Sequence, residues 1–379
     1  MIREIHQLNE GYITNFIVIN FRGIEGEARL NLMTEKLNND KMLARELEDK
    51  KIATASALVG PKFSKNTEIV DAFNALLLDV VGYFRQGGNQ QLIFNRKHER
   101  NLKPTEFELT FYLNGKEYRY GIYRTASRVL EEWLFERDYG KDAAHNEVCI
   151  FYRDKGKFVS ELKGEAHDAL VSVLSRAHKD QLALTVIGRR NYNPYYFVFK
   201  WFLDIAQLQY IPDKMSRWNN PIFSAMALYN HPELKEFVLQ ILKGYDCCIV
   251  DLEPVKESTE DNSKSIYDIV LTYSSDSRDS GDYKKVRVSN SSAGVNEVIV
   301  LALQVNLTQK MNIPVMIKFT QNNYDLGVLR RIIGSLSDRP GQLIFTLEND
   351  TSIKGGVISP GLVYNCDYDS KNVLFRRVG

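Results

Sequence analysis

At 379 residues, 44% of them hydrophobic, the chain is long enough for one large two-lobed domain or two ordinary ones, with ample material for a core. Lysine and arginine number 49 against 48 acids, a net charge of +1, so bulk charge gives no support to nucleic acid or a membrane surface as partner. The four cysteines include no CxxC pair and the six histidines no i, i+3 or i+4 pair, which argues against zinc and against a disulfide framework; no metal is expected, and reduced thiols are. No run reaches the roughly 20 apolar residues of a membrane span and Met1 to His6 lacks a signal-peptide pattern, so a cytoplasmic location is the expectation.

In chain order, Phe16 to Phe21 and Ala28 to Met33 read as an opening hairpin turning at Gly23 and Gly26. Lys36 to Lys51 is charged and helix-permissive. Ala53 to Val59 is a small-residue and β-branched run ending at Gly60-Pro61, which predicts a strand and a turn. From Ile69 to Phe84 the apolar spacing becomes that of an amphipathic helix. Thr105 to Asp138 predicts three antiparallel strands with a tight turn at Asn114-Gly115, and Asp154 to Gly156 marks another hairpin. Ala166 to Leu242 reads mainly as helices. Strands are then predicted at Cys247 to Leu252, Ile266 to Tyr273 and Lys285 to Val288, separated by the polar stretches Lys256 to Ser265 and Ser274 to Asp282, read as exposed loops. Gly294 to Lys310 is an apolar helix, Val315 to Phe319 a buried strand, Leu326 to Leu336 a helix and Gln342 to Thr346 a buried strand, which together point to a parallel sheet covered on both faces.

The run Pro104 to Leu109, then Gly115, Tyr118 to Gly121 and Val129 to Glu136, resembles the lobe-I sheet of bacterial AAA/ABC-type ATPases, relatives of the OLD, RecF and SMC-like heads often found in phage-defence and abortive-infection loci. Asn20 to Gly23 resembles that family's first strand and Gln342 to Thr346 its penultimate one. The resemblance implies an α/β, ABC-ATPase-like head spanning 1–379 as a single domain, with a mostly parallel core sheet. It further implies an antiparallel lobe-I sheet within 1–160, a helical lobe over 161–243, and the rest of the α/β core over 244–379.

The same resemblance allows the catalytic motifs to be checked position by position. A phosphate loop needs glycines that let backbone N–H groups wrap the phosphates, a lysine for the β/γ charge and a hydroxyl for magnesium. The matching window keeps Gly60 and Thr67, but Lys65 replaces the second glycine and Asn66 the essential lysine. Lys62 and Lys65 are the remaining cations that could meet a phosphate from a shifted position. On the next motif the magnesium-ordering Asp falls on Lys318 and the catalytic Glu on Phe319, and the switch His falls near Glu348. None of these replacements supplies the chemistry the family's residues supply. Ser291, Ser292 and Gly294 resemble the signature loop at a helix start, where backbone N–H groups can hold an anion; they read equally as a plain N-cap.

Two functions follow. One is an ATPase-like protein that has lost hydrolysis, needs no cofactor and acts as a scaffold or regulatory subunit, in a homo-oligomer or with an active ATPase or effector protein. The other is a divergent ATP-binding protein or ATPase that uses ATP, magnesium and Lys65, coupled to a nucleic-acid-processing partner. The basic and aromatic stretch Gly188 to Tyr196 suits either single-stranded nucleic acid or a helix core.

Overall fold

The clearest alternation in the sequence, TEFELTFYL, forms a strand in which every second residue is buried. It belongs to a mixed α/β fold, seen in a computed structural model that describes residues 10–34, 44–47, 50–60, 65–82, 103–125, 127–138, 147–191, 195–209, 221–258, 265–274, 283–291, 293–318, 326–336, 340–347, 363–369 and 372–377. The strands are β1 (Gly11–Phe21), β2 (Ile24–Asn31), β3 (Met33–Thr34), β4 (Ala44–Leu47), β5 (Lys50–Ala53), β6 (Ala55–Val59), β7 (Thr105–Leu113), β8 (Lys116–Arg124), β9 (Val129–Asp138), β10 (Val148–Asp154), β11 (Lys157–Val159), β12 (Ile249–Ser258), β13 (Ser265–Ser274), β14 (Tyr283–Arg287), β15 (Pro314–Lys318), β16 (Gln342–Leu347), β17 (Val363–Asp369) and β18 (Asn372–Arg377). The helices are α1 (Asn66–Val80), α2 (Glu165–Leu174), α3 (Ala183–Arg189), α4 (Tyr196–Leu208), α5 (Pro221–Asn230), α6 (Lys235–Tyr245), α7 (Ala293–Met311) and α8 (Leu326–Leu336).

Twelve strands form one sheet in the order β11-β10-β9-β8-β7-β1-β2-β18-β17-β6-β16-β15. Among the described residues, only β15 with β16, β16 with β6, β6 with β17, and β18 with β2 pair in parallel. Every other neighbouring pair is antiparallel, so the expectation of a mostly parallel core sheet, separate from an antiparallel one, is corrected: the sheet is continuous and mostly antiparallel. The physical reason is the C-terminal hairpin β17–β18. It pairs with β6 on one side and β2 on the other, and so joins the two blocks edge to edge. Within the parallel block, Leu58, Ile344 and Met316 belong to one core cluster while Ala57, Phe345 and Ile317 belong to the other. Both faces are therefore covered, as the apolar runs require.

Local signals explain most elements. Asn114 and Gly115 have φ of 54° and 82°, the left-handed pair that a two-residue hairpin needs. The helix-permissive reading of Lys36 to Lys51 is also corrected: 44–47 and 50–53 are strands of a small sheet with β3, and 35–43 lie outside the described residues. That stretch carries no apolar stripe to favour a helix, so pairing with β3 decides. Buried glutamines stitch the layers. Gln342 exchanges hydrogen bonds with Ile13 beside a bulge in β1 and donates to Ala53 O at 2.9 Å. Gln209 donates to Met316 O and accepts from Met316 N at 3.1 Å, covering the backbone of the edge strand β15.

Charge is buried where α1 ends. Asp79 pairs with Arg124 of β8, the two side chains being 6% and 2% exposed. Burial pushes the Asp79 carboxyl up, and Arg124 opposes that. The adjoining helix α3 is fastened to α1 by Thr185 Oγ1 donating to Val80 O at 2.7 Å. Glu132 of β9 caps the start of α3, accepting from Ala183 N at 2.6 Å, Leu184 N at 3.0 Å and the Tyr120 hydroxyl at 3.0 Å. Desolvation pushes the Glu132 carboxyl up to about 7, against these donors and the nearby Arg153.

Candidate functional site

Parallel pairing sets Leu58, Thr346 and Lys318 in one row across β6, β16 and β15, so the three strands end at one edge. Ligands of open α/β sheets bind outside the carboxyl ends of such strands. Helix α1 starts at the same edge, and its first N–H groups and positive dipole end favour an anion. The architecture therefore offers a phosphate position, and the side chains decide whether it is used.

Asn66, where the family resemblance leads one to expect the phosphate-loop lysine, is 3% exposed. Its amide nitrogen donates to Leu58 O at 3.2 Å and to Leu347 O at 3.1 Å, tying β6 to β16 at their carboxyl ends. Gly60 is buried, and its N–H is also directed to Leu347 O, at 3.1 Å. Lys65 precedes α1 at φ −77° and ψ 2°, so the left-handed turn that a glycine would provide at this place is not made. Its ammonium lies 3.5 Å from Glu68 Oε1, and Glu68 Oε2 accepts from Gly23 N at 2.7 Å. A Cβ on Gly23 would meet Lys65 Nζ at 2.1 Å and Glu68 Oε1 at 2.3 Å, so a side chain there would displace the ends of both side chains. Thr67 lies in the first turn of α1, half-buried. Lys62 is outside the described residues.

Lys318 ends β15, where a magnesium-ordering acid is expected, and its ammonium pairs with Asp71 of α1. The other Asp71 oxygen is 2.9 Å from Arg22 Nη1 in the β1–β2 turn. Arg22 has φ 47° and its guanidinium sits 5.1 Å over the Phe21 ring. Arg22, Lys65 and Lys318 thus meet Glu68 and Asp71, at exposures of 19 to 29%. An ammonium on β15 repels a magnesium ion at the place where a carboxylate would hold one. The cations face carboxylates of their own chain. Phe319 and Glu348 lie outside the described residues.

At the start of α7, Ser291 Oγ donates to Val288 O at 2.8 Å, closing the 3-10 turn before the helix. Ser292 lies outside the described residues. Gly294 sits against Tyr245, where a Cβ would come within 2.8 Å of the hydroxyl oxygen. In the basic and aromatic stretch, Tyr195 is buried in the core, as are Val198, Phe199 and Phe202 of the helix that follows, while Arg189 and Arg190 are exposed. The ion network of Arg22, Glu68 and Asp71 was not anticipated from the sequence. The available signal was the i, i+3 spacing of 65, 68 and 71, which places Glu68 and Asp71 on one face of α1 with Lys65 just before its start.

No family model and no curated protein matches the chain. Solved structures similar to it include an SMC head domain with an extended coiled coil, bound to the C-terminal domain of ScpA and derived from Pyrococcus furiosus. That likeness has 12% identity, 96% coverage of this chain and 95% of that one, and a TM-score of 0.44. The recombination mediator RecF with ATP, of the RecFOR pathway, matches at 12% identity over 91% of this chain and 96% of that one, with a TM-score of 0.35. At these scores neither likeness bears on function, which is inferred from the chain's own strand order and site geometry.

Proposed function

We propose that the chain is an ABC-ATPase-like head that has lost ATP hydrolysis and works as a non-catalytic scaffold or regulatory subunit. It would assemble with itself or with an active ATPase or effector protein, the start of α7 around Ser292 and Gly294 facing the partner's nucleotide. A place in phage defence belongs to the same proposal through the family resemblance alone.

Asn66 carries this reading. At the position where the reaction needs a mobile cation, a buried amide holds two strands together. The Lys318–Asp71–Arg22 network supports it, since charge of the wrong sign for magnesium stands at the end of β15. Losing one electrostatic stabiliser costs about 100- to 1000-fold in rate, so several losses leave hydrolysis near background. A magnesium-dependent ATPase assay tests this. No turnover above background in either the wild type or Lys65→Ala is the expected outcome.

One observation favours a second reading: the Lys65 side chain is 22% exposed at the amino end of α1, within reach of an anion arriving there. A divergent ATP-binding protein would use it with ATP and magnesium. Hydrolysis by the wild type that disappears in Lys65→Ala would establish that alternative and sink the first.

A further inference from the structure

The turn joining α6 to β12 holds three metal-ligating side chains in sequence, Asp246, Cys247 and Cys248, whose carboxylate oxygen and two sulfurs lie within 4.8 Å of one another. We propose that this turn is a binding site for a thiophilic divalent cation of the zinc class. Because the cysteines are adjacent, they escape a search for CxxC spacing.

Four features converge on the assignment. The backbone of the turn is fixed: Asp246 N donates to Leu242 O at 2.9 Å, Cys248 N to Asp246 Oδ1 at 2.9 Å, and Ser274 N of β13 to Cys248 O at 2.9 Å. The backbone that carries the ligands is therefore ordered before an ion arrives, and Asp246 has its second oxygen to offer. Adjacent residues also make poor disulfide partners. Their Cα atoms are about 3.8 Å apart across a trans peptide, below the roughly 4.4 Å at which disulfides usually begin. The pair thus stays a dithiol, and all four cysteines are unbridged.

The site also lies at the carboxyl end of the 11-residue helix α6, where the dipole favours a cation. Finally, a Zn–S bond of about 2.3 Å in a tetrahedral site separates two sulfurs by about 3.8 Å, which the observed span accommodates with small rotamer changes. Two thiolates with one carboxylate suit zinc or cadmium better than magnesium or calcium. Binding releases the two thiol protons as the two S–metal bonds form. Cys247 is exposed and its neighbours are partly buried, so an ion enters from solvent, and the fourth tetrahedral position is filled by water or by a ligand from another molecule.

Titration of the reduced protein with Cd2+, followed by the sulfur-to-metal charge-transfer absorbance and by displacement with Zn2+, tests the site. The expected result is saturation at one ion per chain. Cys247→Ser and Asp246→Asn should each weaken binding by at least about tenfold, since even losing an outer-shell partner costs about 10- to 100-fold. Both variants change exposed or half-exposed side chains, and circular dichroism checks that they fold. The double variant Cys149→Ser, Cys366→Ser should bind as the wild type does. Absence of the band, or a band that survives Cys247→Ser, or one that is lost in the Cys149/Cys366 variant, overturns the proposal.

Discussion

The two ends of α1 hold charge in opposite ways. At its amino end Lys65, Glu68 and Asp71 meet Arg22 and Lys318 at half-exposed positions, with only the neutral Asn66 buried among them. At its carboxyl end the Asp79–Arg124 pair is almost fully enclosed, and beside it the carboxylate of Glu132 caps α3. Exposed pairs contribute little and respond to salt, whereas breaking a buried pair leaves an uncompensated charge in the interior. The fold is thus anchored at the end of α1 far from the candidate site. The charges at the site end are more exposed and contribute less to the fold.

Substitutions sharpen that contrast. Asp79→Ala should be the most damaging, costing about 3–5 kcal/mol by stranding Arg124. Replacing both partners with Leu and Met should recover much of the loss, and denaturant midpoints read both. Glu132 comes next. Its native carboxyl titrates near 7 and its ordinary value is 4.5, so the native state holds the proton more tightly. Its contribution is present below about 4.5 and lost as pH rises through about 7, a fall of up to about 3 kcal/mol. Glu132→Gln should flatten that slope in stability measured from pH 4 to 8. Asn66→Ala should cost about 1–2 kcal/mol, because the strand carbonyls lose its donor. Asp71→Asn should cost no more than about 1 kcal/mol, vanishing in high salt. A cost for Asp71→Asn equal to that for Asp79→Ala would break the comparison outright.

Much of this was legible in the sequence. Alternation and Asn114-Gly115 identify β7 to β9, because a half-buried antiparallel strand writes its two faces into successive residues. Apolar runs identify β15 and β16 as strands buried on both faces. Which strands are neighbours is not written in a strand's own period, so the bridging role of β17 and β18, and with it the continuity of the sheet, was missed. Residues 44–47 and 50–51 were misread because Lys, Arg and Glu serve exposed strands and helices alike. At the site, Asn66 and Lys318 could be singled out by position, as an expectation of the family resemblance. Their new partners could not, since Leu347 and Asp71 reach them only through the parallel register of β6, β15 and β16 and the placement of α1.

Calorimetric titration of the purified protein with ATP and magnesium tests the central claim most directly. With Asn66 holding β6 to β16 and the Lys318 ammonium at the end of β15 paired with Asp71, no binding at micromolar strength is predicted. A saturable heat with a micromolar Kd, about −8 kcal/mol, would contradict it.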